Sequence, residues 1–382
     1  MICRLKNDSL RLVVEEMKAV LGFWLDRGID GVRVDAISHL IEDDDLLDEP
    51  LSHNPEAVDE WDWKYLEHIY TNNQNETRAL VAELAGFVKE NYGQDKLVVL
   101  ETDLDLPEIM EYYDCGDIPF NFQLARHLKS DVTGLQVKEE VESWLDLMGE
   151  GKVANWVSGS HDISRVASRL SARLVDHLNM LVLTLPGVSV TYQGEELGMT
   201  NTNISWEDTL DPAGLACGPQ GYQQCSRDPE RTPMQWSNQT NAGFSSSPST
   251  WLPLNQNYPW LNVEVQQSSE DEHNSHLGVF RDVMRVRRVL GTRAETMFYH
   301  NISNTFIALT DSQVLLLNFA ETETIINLED ILFQHDIFPF QGIVAARSVD
   351  GLDQNKFGTP VILIEDIRIG GLEAVLIKNM FQ

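Results

Sequence analysis

The chain has 382 residues, of which 42% are hydrophobic and 23% charged, which fits a globular protein of two or three domains and argues against disorder. Its 28 basic and 60 acidic residues leave a formal charge of −32, which argues against nucleic acid or an anionic membrane as a partner. No stretch is apolar enough to span a membrane. Met1-Ile2-Cys3-Arg4-Leu5-Lys6 is followed by polar residues and does not read as a signal peptide.

In chain order, residues 11–27 predict an amphipathic helix with Val13, Val14, Met17, Val20, Leu21, Trp24 and Leu25 on one face and Gly28 as its stop. A strand follows at 31–37. The pattern repeats with a helix over 77–92, ended by Gly93, and a strand over 96–101 whose Leu97-Val98-Val99-Leu100 core is continuously apolar, as a strand covered on both faces should be. It continues with a helix at 137–148, a strand at 153–157, a helix at 173–184 and a strand at 188–192. Repeats of helix then strand predict a parallel α/β sheet, and either a closed barrel or an open sheet satisfies them.

From 199 to 265 glycine, proline, serine, asparagine and glutamine are dense and periodicity is lost. A long loop inside a domain is usually functional. Cys217 and Cys225 lie close together here, so a local disulfide is expected if the chain matures outside the cell. The other cysteines are Cys3 and Cys115, and no zinc-ligand spacing or oxygen-rich calcium loop is present, so no metal or cofactor is implied. Asn7, Asn75, Asn203, Asn238 and Asn301 each open an Asn-x-Ser/Thr triplet, which leans mildly toward secretion. A helix at 274–290 follows, then β-like runs at 305–309, 314–319 and 361–364 that predict a small C-terminal β domain. The expected division is a catalytic part over 1–298 and a β domain over 299–382.

The strands end in polar residues where α/β folds bind ligands. The first ends in Arg33 and Asp35, which share a face because alternate strand residues do. An arginine so placed can hold a carboxylate ionised, as a nucleophile requires. The second ends in Glu101, the third in Gly159-Ser160-His161-Asp162, and the fourth in Gln193-Gly194-Glu195-Glu196. Each has a plain structural reading as well. Arg33–Asp35 can close a sheet end as an ion pair, Glu101 can be a solvated residue, and His161-Asp162 can cap the next helix. His39 can be an ordinary surface histidine, and Glu195 and Glu196 read foremost as support for their loop.

Asp30-Gly31-Val32-Arg33-Val34-Asp35-Ala36 resembles the nucleophile motif of the α-amylase family of glycoside hydrolases. Gly159-Ser160-His161-Asp162 is similar to its Asn-His-Asp motif. The run from Ser226-Arg227-Asp228-Pro229 to Met234-Gln235-Trp236, with Thr191 to Met199, resembles the α-glucosidase branch and above all insect maltases. The resemblance covers roughly residues 10–300. It implies a partial (β/α)8 TIM barrel, about strands 4–8, followed by a small antiparallel β domain. It assigns Asp35 as nucleophile, Glu101 as general acid/base and Asp162 as the carboxylate that stabilises the distorted sugar. It places Arg33, His161, Arg227 and His39 on the substrate. The implied reaction is retaining hydrolysis of terminal α-linked glucose from α-glucosides and oligosaccharides, and the small Ala36 beside the nucleophile points to α-1,4 links.

Two departures stand out. No Asn-His dipeptide of the family's first motif occurs, and the elements that precede the 11–27 helix in the family are not seen, so a partial product or a degenerate relative is expected. Ser160 also stands where the family usually has asparagine. Other readings of the resemblance are the heavy subunit of an amino-acid transporter, a catalytically dead sugar-binding or receptor protein, and a transglycosylase. Retention of Asp35, Glu101 and Asp162 favours the enzyme.

Overall fold

A computed structural model describes residues 7–55, 57, 60, 62–269, 273–291, 297–337, 340–361 and 366–380. Cys3 and residues 362–364 of the last predicted β run lie outside the described residues. The chain forms two compact units, Met1–Asn121 with Trp144–Ala154, and Phe122–Ser143 with Asn155–Gln382. Among the described residues no helix is long and apolar enough to cross a membrane.

In the first unit three parallel strands, β1 (Gly31–Val34), β2 (Leu97–Leu100) and β3 (Ile118–Pro119), pair in that order. The helices Asn7–Leu25 and Asn75–Tyr92 precede β1 and β2. Val81, Ala85 and Val88, spaced for one helical face, pack with Val98, Leu100 and Ile37 into one apolar core. The predicted strand 31–37 is shorter in the structure because Ala36 takes a left-handed conformation (φ 47°) and turns the chain into a 3-10 turn at Ile37–His39. The predicted helices begin two to four residues earlier than their apolar periodicity suggests, since a first turn needs no buried side chain.

In the second unit β4 (Asn155–Val157) and β5 (Val188–Val190) pair in parallel. Between them a 3-10 turn, Ala172–Leu174, leads into the helix Val175–Thr184, every residue of which is buried. Trp156 is fully buried, and its indole donates to the Pro186 carbonyl at 2.7 Å. The stretch read as a long loop holds three short helices, Pro212–Ala216, Gly218–Cys225 and Val263–Gln267. The helix His276–Leu290 ends this region.

The remainder is mostly antiparallel. The strands β6 (Phe298–Ile302), β7 (Thr305–Leu309), β8 (Gln313–Asn318), β10 (Gly342–Arg347), β11 (Pro360–Val361) and β13 (Ala374–Asn379) form one sheet in the order β11-β10-β13-β8-β7-β6. The strands β9 (Thr324–Ile326) and β12 (Ile367–Ile369) pair separately. The helix Leu328–Gln334, capped by Asn327, lays Leu328, Ile331 and Leu332 on Ile307, Leu316 and Ile377.

Because Trp156 combines full burial with a used indole N–H, Trp156→Ala should lower unfolding free energy by about 4 kcal/mol. Trp156→Phe keeps most of the apolar contact but strands the Pro186 carbonyl, at a cost of about 1–2 kcal/mol. Urea unfolding followed by circular dichroism checks both.

Candidate active site

The candidate residues form two groups, one in each unit. In the first, β1 and β2 run parallel with Arg33 opposite Val99 and Val34 opposite Leu100. The pairing continues past both strands, since the Glu101 amide donates to the Val34 carbonyl (2.9 Å) and the Ile37 amide to the Glu101 carbonyl (3.0 Å). Asp35 and Glu101 therefore leave neighbouring strand ends at the same level. Arg33 Nη1 donates to Asp35 Oδ1 at 2.5 Å, and Nη2 lies 3.9 Å from Glu101 Oε2. One guanidinium thus serves two carboxylates, and it also rests over the Phe120 ring at 5.4 Å.

Glu101 Oε2 also accepts the Ala36 amide at 2.7 Å. That amide points at the carboxylate because Ala36 is left-handed, a conformation that costs a non-glycine residue about 1–2 kcal/mol. Asp35 is open to solvent, with 70% of its side chain exposed, whereas Glu101 is 17% exposed. Asp35 is thus the accessible member of the pair and Glu101 the sheltered one. His39 is half-buried, its Nδ1 3.3 Å from the Thr71 carbonyl and its ring edge-on to Trp63 at 5.4 Å.

In the second unit the turn after β4 presents His161 and Asp162 to solvent. Neither caps a helix, contrary to the plain structural expectation: the next helix, Val166–Arg169, has Arg165 at its N-cap. Instead the Asp162 amide donates to Ser160 Oγ (3.1 Å), and two guanidinium groups and an imidazole converge on its carboxylate. Arg227 Nη1 lies 3.0 Å from Oδ1, Arg231 Nη2 bonds the same oxygen, and His161 Nε2 lies 3.1 Å from Oδ2. Arg231 Nε also donates to the His161 carbonyl at 2.8 Å.

Asp211 holds Arg227 in place. Its buried carboxylate accepts the Arg227 amide, Nε and Nη2 at 2.7, 2.9 and 2.7 Å, which leaves Nη1 for Asp162. These bonds hold the Asp211 carboxyl down at about 2 and raise the guanidinium in turn. The segment is closed by the Cys217–Cys225 disulfide. Glu195 and Glu196 do support their loop: Glu195 accepts from Ser158 Oγ (3.1 Å) and the Tyr192 amide (2.8 Å), and Glu196 from the Gly194 amide (2.8 Å).

Asp211 and Arg231 were not among the sequence candidates. Arg231 lay inside the matched Ser226–Trp236 run and could have been singled out there. Asp211 sits in a stretch without periodicity, where its only signal was the Asp-Pro of a helix start at Pro212. Among the described residues no group of three His, Cys, Asp or Glu side chains is arranged to hold a metal ion.

Residues 6–292 match the model of the α-amylase catalytic domain. The chain is 42% identical over 290 residues to maltase 1 of Drosophila virilis, covering 72% of this chain and 45% of that protein. It is 36% identical over 325 residues to an α-glucosidase of Apis mellifera, covering 83% of this chain and 56% of that one. The chain thus spans about half the length of these curated relatives. A solved α-glucosyl transfer enzyme superposes with a TM-score of 0.74 at 24% identity, covering 97% of this chain and 67% of that one, a likeness of fold.

The Asp211–Arg227 pair sets a pH dependence. A carboxyl depressed from 3.8 to about 2 contributes stability that is complete above its unfolded value and lost as pH falls through the folded one. Asp211→Asn should therefore cost about 2 kcal/mol at neutral pH, the low side for a buried pair because Arg227 is partly solvated. The gap to the unaltered protein should close between about pH 4 and pH 2. Urea titrations of both proteins across that range measure it.

Proposed function

The chain belongs to the α-amylase family of glycoside hydrolases, and on that premise we propose that it is a retaining α-glucosidase of the maltase type. Its substrates on this reading are α-glucosides, namely maltose and short α-1,4-linked oligosaccharides cleaved at the non-reducing end, and sucrose. The observation that carries the reading is the Arg33–Asp35–Glu101 constellation on the paired ends of β1 and β2.

Asp35 Oδ attacks the anomeric carbon of the terminal glucose while the Glu101 carboxyl gives its proton to the leaving glycosidic oxygen. The covalent glucosyl–Asp35 ester is then opened by water, whose proton Glu101 takes, so that both carboxyls return to their starting states. Arg33 fixes the Asp35 carboxylate by donating Nη1 to Oδ1. The family motif gives Asp162 the stabilisation of the oxocarbenium-like ring, and His161, Arg227 and His39 contacts with substrate hydroxyls. Ala36 supports the α-1,4 preference because its methyl group leaves space beside the nucleophile. Residues 1–298 carry catalysis on this reading and 299–382 form the β domain.

The chain matures in the secretory pathway as a glycoprotein. The Cys217–Cys225 disulfide and the exposed triplet asparagines Asn75, Asn203 and Asn238 support that reading.

The 382-residue chain, secreted from a eukaryotic host, should hydrolyse maltose and a chromogenic α-glucoside with release of α-glucose. Asp35→Asn should lower kcat by at least about a thousandfold, since an amide cannot form the ester. A folded, soluble chain that hydrolyses neither substrate contradicts the proposal, as does an Asp35→Asn protein that keeps its rate.

A further inference from the structure

The turn that carries His161 and Asp162 hangs from Ser158 and Gly159, both buried at the end of β4. Ser158 is gripped from two sides. Its hydroxyl donates to Glu195 Oε1 at 3.1 Å, and its carbonyl accepts Arg169 Nη2 at 2.8 Å. Gly159 passes so close that a Cβ built there would lie 2.5 Å from Glu195 Oε1. A free carboxylate would swing away from such a methyl group. Glu195 is not free: it is buried, its Oε2 accepts the Tyr192 amide at 2.8 Å, and its carbonyl is bonded by Asn179 Nδ2 at 3.0 Å.

The same turn reaches the other side of Asp162. Arg165, itself buried, donates through Nη1 to the Gln193 carbonyl (2.7 Å) and through Nη2 to the Glu230 carbonyl (2.9 Å), one residue before Arg231. The Gly194 backbone has φ 92°, and a Cβ there would collide with Arg165 Nη1 and the Met199 sulfur. The Asp162 turn and the Arg231 segment are therefore both referenced to one compact turn, Tyr192–Leu197, and Glu195 is its link to the Asp162 side.

We propose that Glu195 is a positioning residue, whose buried carboxylate braces Ser158 and Gly159 so that His161 and Asp162 meet Arg227 and Arg231. It touches none of the reacting atoms. Burial pushes its carboxyl up to about 7, so the fold keeps in place an acid that would be more stable in water. The effect on catalysis rests on the α-glucosidase reading; the effect on geometry does not.

The isostere separates shape from charge. In Glu195→Gln the amide oxygen still accepts the Tyr192 N–H and the amide nitrogen donates to Ser158 Oγ, so both links survive. Glu195→Ala removes both. Gly159→Ala leaves the carboxylate present but forces it off Ser158. If Glu195 acts as proposed, the Gly159→Ala defect vanishes in the Glu195→Ala background, because the clash partner is gone.

The test measures the four proteins and the Gly159→Ala/Glu195→Ala double variant in two ways. The first is the proton resonances of the His161 ring, assigned by their loss in His161→Gln, since that ring lies against Asp162. The second is hydrolysis of a chromogenic α-glucoside. Expected are shifted His161 resonances and a kcat lower by about tenfold or more in Glu195→Ala and in Gly159→Ala, with KM changed less. Glu195→Gln should restore both, and the double variant should be no worse than Glu195→Ala. A folded Gly159→Ala protein with His161 resonances in place overturns the proposal, as does a Glu195→Gln protein as perturbed as Glu195→Ala. If Glu195→Ala does not fold, Gly159→Ala and Glu195→Gln decide. If the unaltered chain does not hydrolyse the glucoside, the functional reading fails while the His161 arm still decides this one.

Discussion

The candidate chemistry depends first on the register of two short parallel strands. With Gly31 opposite Leu97 and Val34 opposite Leu100, the next residues out are Asp35 and Glu101. Side chains alternate across a strand, so a slip of one residue would turn Glu101 to the other face and away from Arg33. The apolar residues between helix Asn75–Tyr92 and β2 hold that register, because the same slip would carry Val98 and Leu100 out of the core they share with Val81 and Val88. Hydrophobic packing thus decides where Glu101 stands, and Arg33 supplies the charge that lets two acids end side by side.

The second group solves a similar problem with polar contacts. Asp162 is exposed and would be loose by itself. It is fixed by Arg227 and Arg231, and Arg227 is fixed in turn by a fully buried aspartate that takes up its other donors. A bidentate guanidinium–carboxylate contact has a set plane, so Asp211 determines where the remaining Nη1 points. The short helices around it, Pro212–Ala216 and Gly218–Cys225, have little apolar surface to anchor them, and a disulfide joins the ends of the second.

What could be read in the sequence follows from which signals are local. The strands around 31, 97, 155 and 188 were legible because each is a short, largely apolar run that follows a helical pattern, and their ends carried the candidate acids. The Cys217–Cys225 pairing was legible from proximity alone. The strand boundary at Val34 was not, since nothing in Asp35-Ala36-Ile37 announces a left-handed alanine, and the carboxylate that its amide bonds, Glu101, lies 65 residues away. The strand Phe298–Ile302 mixes polar and aromatic residues and shows no alternation, because it is only partly buried at the sheet edge. Asp211, Arg165 and Glu195 act through partners 16 to 65 residues away, and no spacing rule reports such contacts.

The central claim is that Asp35 is the nucleophile of a double displacement. The direct measurement is to incubate the chain with a fluorinated α-glucosyl fluoride, which slows release of the intermediate, and to digest and sequence the labelled protein by mass spectrometry. The account predicts one fluoroglucosyl group esterified to Asp35, absent when Asp35→Asn is treated in the same way. A label on another carboxylate, or none on a chain that hydrolyses α-glucosides, would contradict it.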